Sequence, residues 1–290
     1  MAFLCVDIGG TNTLIGIGNG DFEVVKKVKS REFLDDIGAC LENTFEPEKI
    51  NEIERVAIAA AGPIDREEGV FYPPNVDDLE EVNIRSPLEA VGDVQIINDC
   101  TSAVLGEYHY GDHEAENLVY VTISSGIGAG VISDGNVVEG WSGNFGEVGH
   151  IILEDGGLEC GCGKRGHWEA YCSGNSIPRL AEDVAGASFK DAREVFEAAE
   201  SGDEDAEAAL EEMNRYNSIG FSNIVDMFNP ETVLVGGAVA LNHPGRVVEP
   251  LEEEVEKRSI NDTPAIEVCS LDERAVIHGL RAVCNGKFKP

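Results

Sequence analysis

Basic residues are scarce in this chain. Its 290 residues hold 21 Lys and Arg against 55 Asp and Glu, a formal net charge of −34. A surface so poor in cations repels nucleic-acid phosphate rather than gathering it. Long apolar runs are missing as well: none reaches the roughly 18 residues from which a membrane-spanning helix is built. The N-terminal MAFLCVDIGG has no basic segment and meets an acid at Asp7, so it does not read as a signal peptide, and a cytoplasmic protein is expected. No linker, low-complexity tract or third domain stands out. The cysteines form no regular framework. Only Cys160 and Cys162 have ligand spacing; Cys5, Cys40, Cys100, Cys172, Cys269 and Cys284 read as small reduced packing residues.

The acids that are present cluster at 197–212 and 252–256, interleaved with Ala, Leu and Val at helical spacing. These are solvated helix faces rather than tails. A surface of this charge repels itself at low ionic strength, which points to a salt-rich cytoplasm where screening cancels the repulsion.

The most informative stretch is 141–169. Glu147 and His150 lie three residues apart in a glycine-rich setting, followed by Cys160 and Cys162 in a C-G-C-G knuckle and then His167. Two thiolates and two imidazoles suit tetrahedral Zn2+. The intervening glycines let the chain double back so that the four converge. Glu147 and Glu169 flank the set and remain for a polar ligand. The pattern predicts a closed structural metal pinning a loop whose carboxylates face a substrate. Trp141 and Trp168 read as packing residues.

Along the chain, 3–8 is a buried strand, 9–13 a tight turn, 14–18 the return strand, Asn19-Gly20 a hairpin turn and 22–28 a third strand. Residues 119–140 repeat this layout without a gap: Thr122 falls on Asp7, Ser124-Ser125 on Gly9-Gly10, and Asp134-Gly135 on Asn19-Gly20. Such a repeat predicts duplicated domains. Between the copies come a helix at 32–44 ending near Pro47, a strand at 56–62 leading into Gly62-Pro63-Ile64-Asp65, and a hairpin at 67–72 broken by Pro73-Pro74-Asn75. A short helix at 86–91, a strand at 94–98 and a helix at 101–108 follow. Asn98-Asp99 thus places an amide and an acid at a strand-to-helix junction, where α/β folds bind ligands. The polar stretch 110–117 marks a domain boundary. After the metal loop come helices at 176–185, 188–200 and 203–228, a strand at 232–239 holding Gly236-Gly237, a helix at 246–258, a strand at 265–270 and a last helix at 274–283.

Three glycine turns therefore sit at strand ends: 9–13, 124–128 and 236–237. Turns of this kind offer backbone N–H groups and hydroxyls to phosphates from two sides. Asp7 could hold Mg2+ through water. Thr11, Thr13 and Ser125 are hydroxyl donors at the same height.

Over nearly its full length the chain resembles the ROK family of sugar kinases and regulators, within the actin-like ATPase fold. Asp7-Ile8-Gly9-Gly10-Thr11 resembles the family's first phosphate turn. TISSGIGAG at 122–130 resembles the second, with Ser124 where glycine is usual. Gly62-Pro63-Ile64-Asp65 resembles P-G-P-V-D, with Ala61 in place of the first proline. Asn98-Asp99 matches an N-D pair, followed here by Cys100-Thr101 rather than Ala-Asn. The segment 146–150 matches G-E-x-G-H, and Val235-Gly236-Gly237 resembles the adenosine loop. The metal loop resembles C-x-C-G-x-x-G-C-x-E, with His167 replacing the third cysteine.

The resemblance implies an α/β fold: a two-domain actin-like ATPase (ribonuclease H-like) fold of duplicated mixed sheets with flanking helices. Residues 1–112 would form one domain, with 274–290 packing back on it. Residues 113–273 would form the other, carrying the metal loop 150–169 and the nucleotide site. It implies ATP-dependent phosphorylation of a hexose, most simply glucose to glucose 6-phosphate, with Asp99 as general base. Gly62, Asn98, Asp99, Glu147, His150 and Glu169 would line the sugar site. Asp7, Gly9, Gly10, Thr11, Asn12, Thr122, Ser125, Gly126, Gly128, Gly236 and Gly237 would meet ATP and its Mg2+. His150, Cys160, Cys162 and His167 would hold Zn2+. His150 would then serve twice, one ring nitrogen on the metal and the other on a sugar hydroxyl. Relatives form dimers or tetramers, so a homo-oligomer is expected. Fructose, mannose, N-acetylmannosamine and N-acetylglucosamine are alternative substrates. A non-catalytic sugar-sensing regulator is the alternative of another class; the early position of Asp7 and the acidic charge stand against a DNA-binding module.

Overall fold

The computed structural model describes residues 2–19, 21–62, 64–66, 68–73 and 79–288. Gly20, Pro63, Glu67, Pro74 and Asn75, each part of an expected turn or hairpin, lie outside the described residues.

The apolar run AFLCVDI forms β1 (Ala2–Ile8), which folds back through β2 (Asn12–Asn19) and β3 (Asp21–Lys29) as antiparallel neighbours. Three short helices follow: α1 (Ser30–Asp35), α2 (Ile37–Glu42) and α3 (Pro47–Asn51). They replace the single helix expected over 32–44. Asp36 leaves helical geometry, at φ −155° and ψ 89°, and its carboxylate accepts from Ala39 N at 2.8 Å, capping a new helix. Pro47 does not close a helix but opens one, because its fixed φ suits the first helical position. β4 (Ile53–Ala60) then lies parallel to β1. The short strands β5 (Ile64–Asp65), β6 (Val70–Phe71) and β7 (Val82–Asn83) make a small separate sheet. Beyond α4 (Ser86–Glu89), β8 (Asp93–Asn98) lies parallel to β4 and leads directly into α5 (Asp99–Tyr110). Leu4, Val6, Ile8, Ile58 and Ile96 from these strands pack with Phe33, Leu41 and Leu88 from the helices in one buried core.

The same construction recurs further on. β9 (Leu118–Ile123), β10 (Ile127–Ser133) and β11 (Asn136–Val137) form an antiparallel set. The Asp134-Gly135 turn has positive φ at both positions, 50° and 71°, as a two-residue hairpin turn of type I′ requires. Then come α6 (Glu169–Cys172), α7 (Ile177–Ala185), α8 (Ala192–Glu200) and the long α9 (Glu204–Phe228). α8 starts later than the expected 188 because Asp191 caps it, accepting from Glu194 N at 3.0 Å. β12 (Thr232–Gly236) lies parallel to β9 and stops at Gly236, short of the expected 239. Gly237 turns left-handed at φ 87°, and α10 (Ala238–Asn242) begins there. The helix expected over 246–258 is two, α11 (Pro244–Val247) and α12 (Leu251–Glu256), with Pro250 between them, where it has no N–H to continue the ladder. β13 (Ala265–Val268) completes the sheet, and α13 (Ala275–Cys284) closes the described chain.

The two five-stranded sheets have matching orders, β3-β2-β1-β4-β8 and β11-β10-β9-β12-β13, with the same senses. The internal repeat is thus a duplicated mixed sheet. It is not gap-free. Ile8 pairs with Thr13 in the first copy, whereas Ile123 pairs with Ile127 in the second, so the second turn is one residue shorter.

Two compact units result: residues 1–113, 138–145 and 274–290 in one, and 114–137 with 146–273 in the other. In the first unit α13 packs closely on α5. Ser102 Oγ donates to Val276 O at 2.7 Å, and a methyl group at Gly106 or Gly279 would run into the backbone of the opposite helix. Segment 138–145 is clasped in the same unit by Arg66, which pairs with Glu139 Oε1 at 2.8 Å and donates to Gly143 O at 2.7 Å. Trp141 in this segment is fully exposed, so it does not pack as expected; Trp168 is fully buried. Among the described residues no helix is long and apolar enough to cross a membrane.

Candidate active site

In the first unit, parallel registry aligns three strand ends. Ile8 of β1 stands beside Ala60 of β4, and Ala60 beside Asn98 of β8. Gly9, Gly62 and Asp99, which follow these strands, therefore emerge along one edge of the sheet, the edge where parallel strands present ligand-binding groups. Asn98 caps α5: its Oδ1 accepts from Cys100 N at 2.8 Å and from Thr101 N at 3.1 Å. With its oxygen engaged, Asn98 has its Nδ2 amide to offer a ligand. Asp99 sits one position inside the helix, where Oδ1 accepts from Cys100 N at 2.8 Å.

Burial raises the Asp99 carboxyl above its ordinary value, against the lowering effect of its bonds with Cys100. Burial, and then the neighbouring charge of Asp99, push Asp7 up to about 8. Two carboxyls thus share one half-buried place. Chemically that is a site for a proton or a divalent cation.

The first turn is closed by Gly9 N donating to Asn12 O at 3.1 Å, and a methyl group on Gly9 would stand 2.9 Å from that oxygen. Gly10 and Thr11 are exposed on the turn; Asn12 is half-buried. Thr13, expected as a ligand donor, is instead fully buried, and its hydroxyl donates to Ser30 Oγ at 3.1 Å. Ser30 Oγ in turn donates to Gly9 O at 2.6 Å, and Ser30 N to Thr11 O at 3.1 Å. The sequence carried no sign of Ser30's role, because a serine opening a helix reads only as a helix terminus.

In the second unit the turn 124–126 is held by Ser124 N donating to Gly126 O at 2.9 Å and by Gly174 N donating to Ser124 O at 2.7 Å. Ser125 is exposed at its tip, and Gly128 faces Thr122 across the strand pair. Thr122 and Gly236 are neighbours in the sheet, and the Thr122 hydroxyl lies 2.6 Å from where a side chain on Gly237 would begin. Gly237 is thus required twice, by its φ of 87° and by this close approach. Gly236 is buried against the Tyr120 hydroxyl, so its lack of a side chain serves packing.

The same unit gathers the proposed ligands. One ligand atom from each of His150, Cys160, Cys162 and His167 lies within 4.8 Å of the others. Cys160 Sγ is 3.8 Å from His150 Nδ1, and Cys162 Sγ is 3.3 Å from His167 Nδ1. Sulfur at about 2.3 Å and nitrogen at about 2.0–2.1 Å from a tetrahedral ion stand about 3.6 Å apart. The two observed spacings bracket that value. Burial lowers His167, keeping a neutral imidazole, and pushes the Cys160 thiol up to about 11. Binding a cation there would require the Cys160 thiol to release its proton to solvent, so occupancy would fall as pH falls. The residues therefore fit a four-coordinate soft-to-borderline metal.

His150 turns Nδ1 toward the cluster and Nε2 toward the exposed Glu147 carboxylate, 3.8 Å from Oε2. Glu169 is half-buried and two-sided. Its Oε2 accepts from Ile127 N at 2.9 Å, and its Oε1 lies 3.6 Å from Cys160 Sγ. Between His167 and Glu169, Trp168 anchors both: its indole N–H donates to Asn217 Oδ1 at 2.9 Å, its ring meets Phe221 edge-on, and Gly220 leaves room beneath it. Glu154, Tyr171 and Tyr216 brace the loop from behind, with the two rings stacked at 3.8 Å and both hydroxyls donating to Glu154. Isolated tyrosines and an acid so far apart in sequence carried no signal of this contact.

The profile of the ROK family matches residues 3–282. A glucokinase of Aeropyrum pernix is 31% identical over 274 residues, covering 86% of this chain and 85% of the relative. A ROK hexokinase structure from Thermus thermophilus is 30% identical with a TM-score of 0.80, covering 99% of each chain. A ROK family glucokinase from Streptomyces griseus, solved with glucose and AMPPNP, is 27% identical with a TM-score of 0.79, covering 98% of this chain and 99% of that one.

Proposed function

The chain belongs to the ROK family, and we propose on that premise that it is an ATP-dependent hexose kinase, most simply a glucokinase converting glucose to glucose 6-phosphate. The observation that carries the reading is the Asp99 carboxylate at the first turn of α5, beside Asp7 and in line with the glycine turn 9–12. The names of the Aeropyrum pernix and Streptomyces griseus relatives support glucose as the acceptor.

A sugar hydroxyl attacks poorly until its proton is taken. Asp99 accepts that proton as the oxygen closes on the terminal phosphorus of ATP. The rest of phosphoryl transfer is positioning and charge neutralisation. The turns 9–12 and 124–126, with Thr122, Gly128, Gly236 and Gly237, would cradle the nucleotide through backbone N–H groups. Gly62, Asn98, Glu147, His150 and Glu169 would orient the sugar by its hydroxyls. Asp7 would hold Mg2+, which when bound offsets the negative charge of the phosphates. His150, Cys160, Cys162 and His167 would hold Zn2+, which when bound fixes the loop carrying Glu147 and Glu169. Because Nδ1 of His150 faces the cysteines, its Nε2 is the nitrogen left to meet a sugar hydroxyl.

The protein is read as a cytoplasmic homo-oligomer working at high salt. The test is coupled ADP release with ATP and Mg2+ in molar KCl, across glucose, mannose, fructose, N-acetylglucosamine and N-acetylmannosamine. Release that depends on glucose supports the glucokinase reading. Release with another hexose alone reassigns the substrate. Sugar binding without ADP release from any of them would replace the kinase with a sugar sensor.

A further inference from the structure

The glycine turns 9–12 and 124–126 each have a side chain from elsewhere in their own unit bracing them. In the first unit the brace is neutral: Ser30 Oγ on Gly9 O. In the second it is charged: Glu169 Oε2 on Ile127 N, the residue that ends the turn 124–126. The brace is tight, since a methyl group on Gly126 would stand 2.6 Å from that same oxygen. Two backbone bonds hold the same turn, Ser124 N donating to Gly126 O and Gly174 N donating to Ser124 O, and the Glu169 contact is the side-chain one at its end. The other oxygen of Glu169 faces Cys160 Sγ at 3.6 Å, and its backbone follows Trp168, which is wedged against Gly220 and bonded to Asn217.

We propose that Glu169 is a positioning residue for the second phosphate turn, a strut from the Cys/His cluster to Ile127 N, besides any contact it makes with sugar. The proposal rests on the reading that this turn receives nucleotide phosphate. A carboxylate accepting from a backbone N–H makes a charge-assisted bond, short and strong. It holds the turn in one shape before nucleotide arrives, and it keeps the carboxylate's charge engaged rather than loose beside a phosphate. A sugar hydroxyl taking Oε1 leaves Oε2 on Ile127, so sugar and nucleotide affinities become linked through one side chain, and reciprocally so.

The experiment measures Mg–ADP binding by calorimetry in molar KCl with no sugar present, so that a lost sugar contact cannot contribute. Glu169→Ala should weaken ADP about tenfold or more, the scale of one hydrogen bond to a charged group. Glu169→Gln keeps a carbonyl oxygen for Ile127 N and should recover affinity to within about threefold of the parent. Gly126→Ala presses on the strut from the other side; it should weaken ADP in the parent and add little in the Glu169→Ala background. Parent-like ADP affinity in Glu169→Ala overturns the proposal. Should that variant fail to fold by circular dichroism, parent-like affinity in Gly126→Ala overturns it instead. The kinase reading fails separately, by an absence of sugar-dependent ADP release in the parent protein.

Discussion

Asp7 carries a carboxyl pushed up to about 8, and part of the cause is the charge of Asp99 beside it. Asp99 is itself raised by burial. In the proposed role of general base Asp99 works only when ionised, so turnover should rise with pH through its raised value and level off above it. Asp99→Ala should bind sugar within a few-fold of the parent and lose about 10²–10⁴ in turnover. Steady-state kinetics with calorimetric sugar binding checks both halves, and near-normal turnover removes Asp99 from the mechanism.

Asp7→Asn tests the same pair through stability. A carboxyl whose folded value lies near 8, above an unfolded value near 3.8, contributes stability that is complete below the unfolded value and lost as pH rises toward 8. In magnesium-free buffer the asparagine variant should therefore melt a few degrees above the parent at about pH 8.5 and with little difference near pH 4. A melting gap that is equal at both pH values contradicts the shift.

His167→Ala should lose the metal and weaken sugar binding together, because Glu169 follows two residues later on the same loop. The parent should carry about one equivalent of zinc by elemental analysis. His167→Cys should keep the ion, since thiolate is also a zinc ligand. Unchanged sugar affinity after metal loss would show that loop and sugar site are independent.

Gly220→Ala tests the anchor behind the loop. Its methyl group would enter the Trp168 ring, which is fully buried against α9. Overpacking of this kind costs about 1–3 kcal/mol. Denaturant unfolding in high salt should show a lower midpoint with an unchanged slope.

A net charge of −34 predicts that the melting temperature climbs with KCl. The Debye length falls from about 10 Å at 0.1 M to about 3 Å at 1 M, which removes most repulsion between exposed carboxylates. A melting temperature flat across that range would count against the high-salt reading.

Local patterns carried the strands, the duplicated sheet and the gathering of the Cys and His side chains at 150–167. Alternating apolar runs bounded by glycine turns dictate β1, β2, β9 and β10 by themselves, and residues within 150–167 are tethered closely enough that spacing alone limits what they can surround. Helix ends were poorly legible, because Asp36 as a cap and Pro250 as a break look like ordinary members of a periodic run.

Tertiary structure alone decided how side chains far apart in sequence are used. Thr13 turned from the expected ligand to Ser30, Trp141 stayed in solvent while Trp168 went to the core, and Glu169 reached back forty-two residues to Ile127 N. A hydrogen bond depends on the meeting of two atoms, and a linear pattern describes only one of them at a time. The family motifs could name Glu169, but which atom it holds follows from where α9 seats Trp168 and how short the turn at 124–126 becomes.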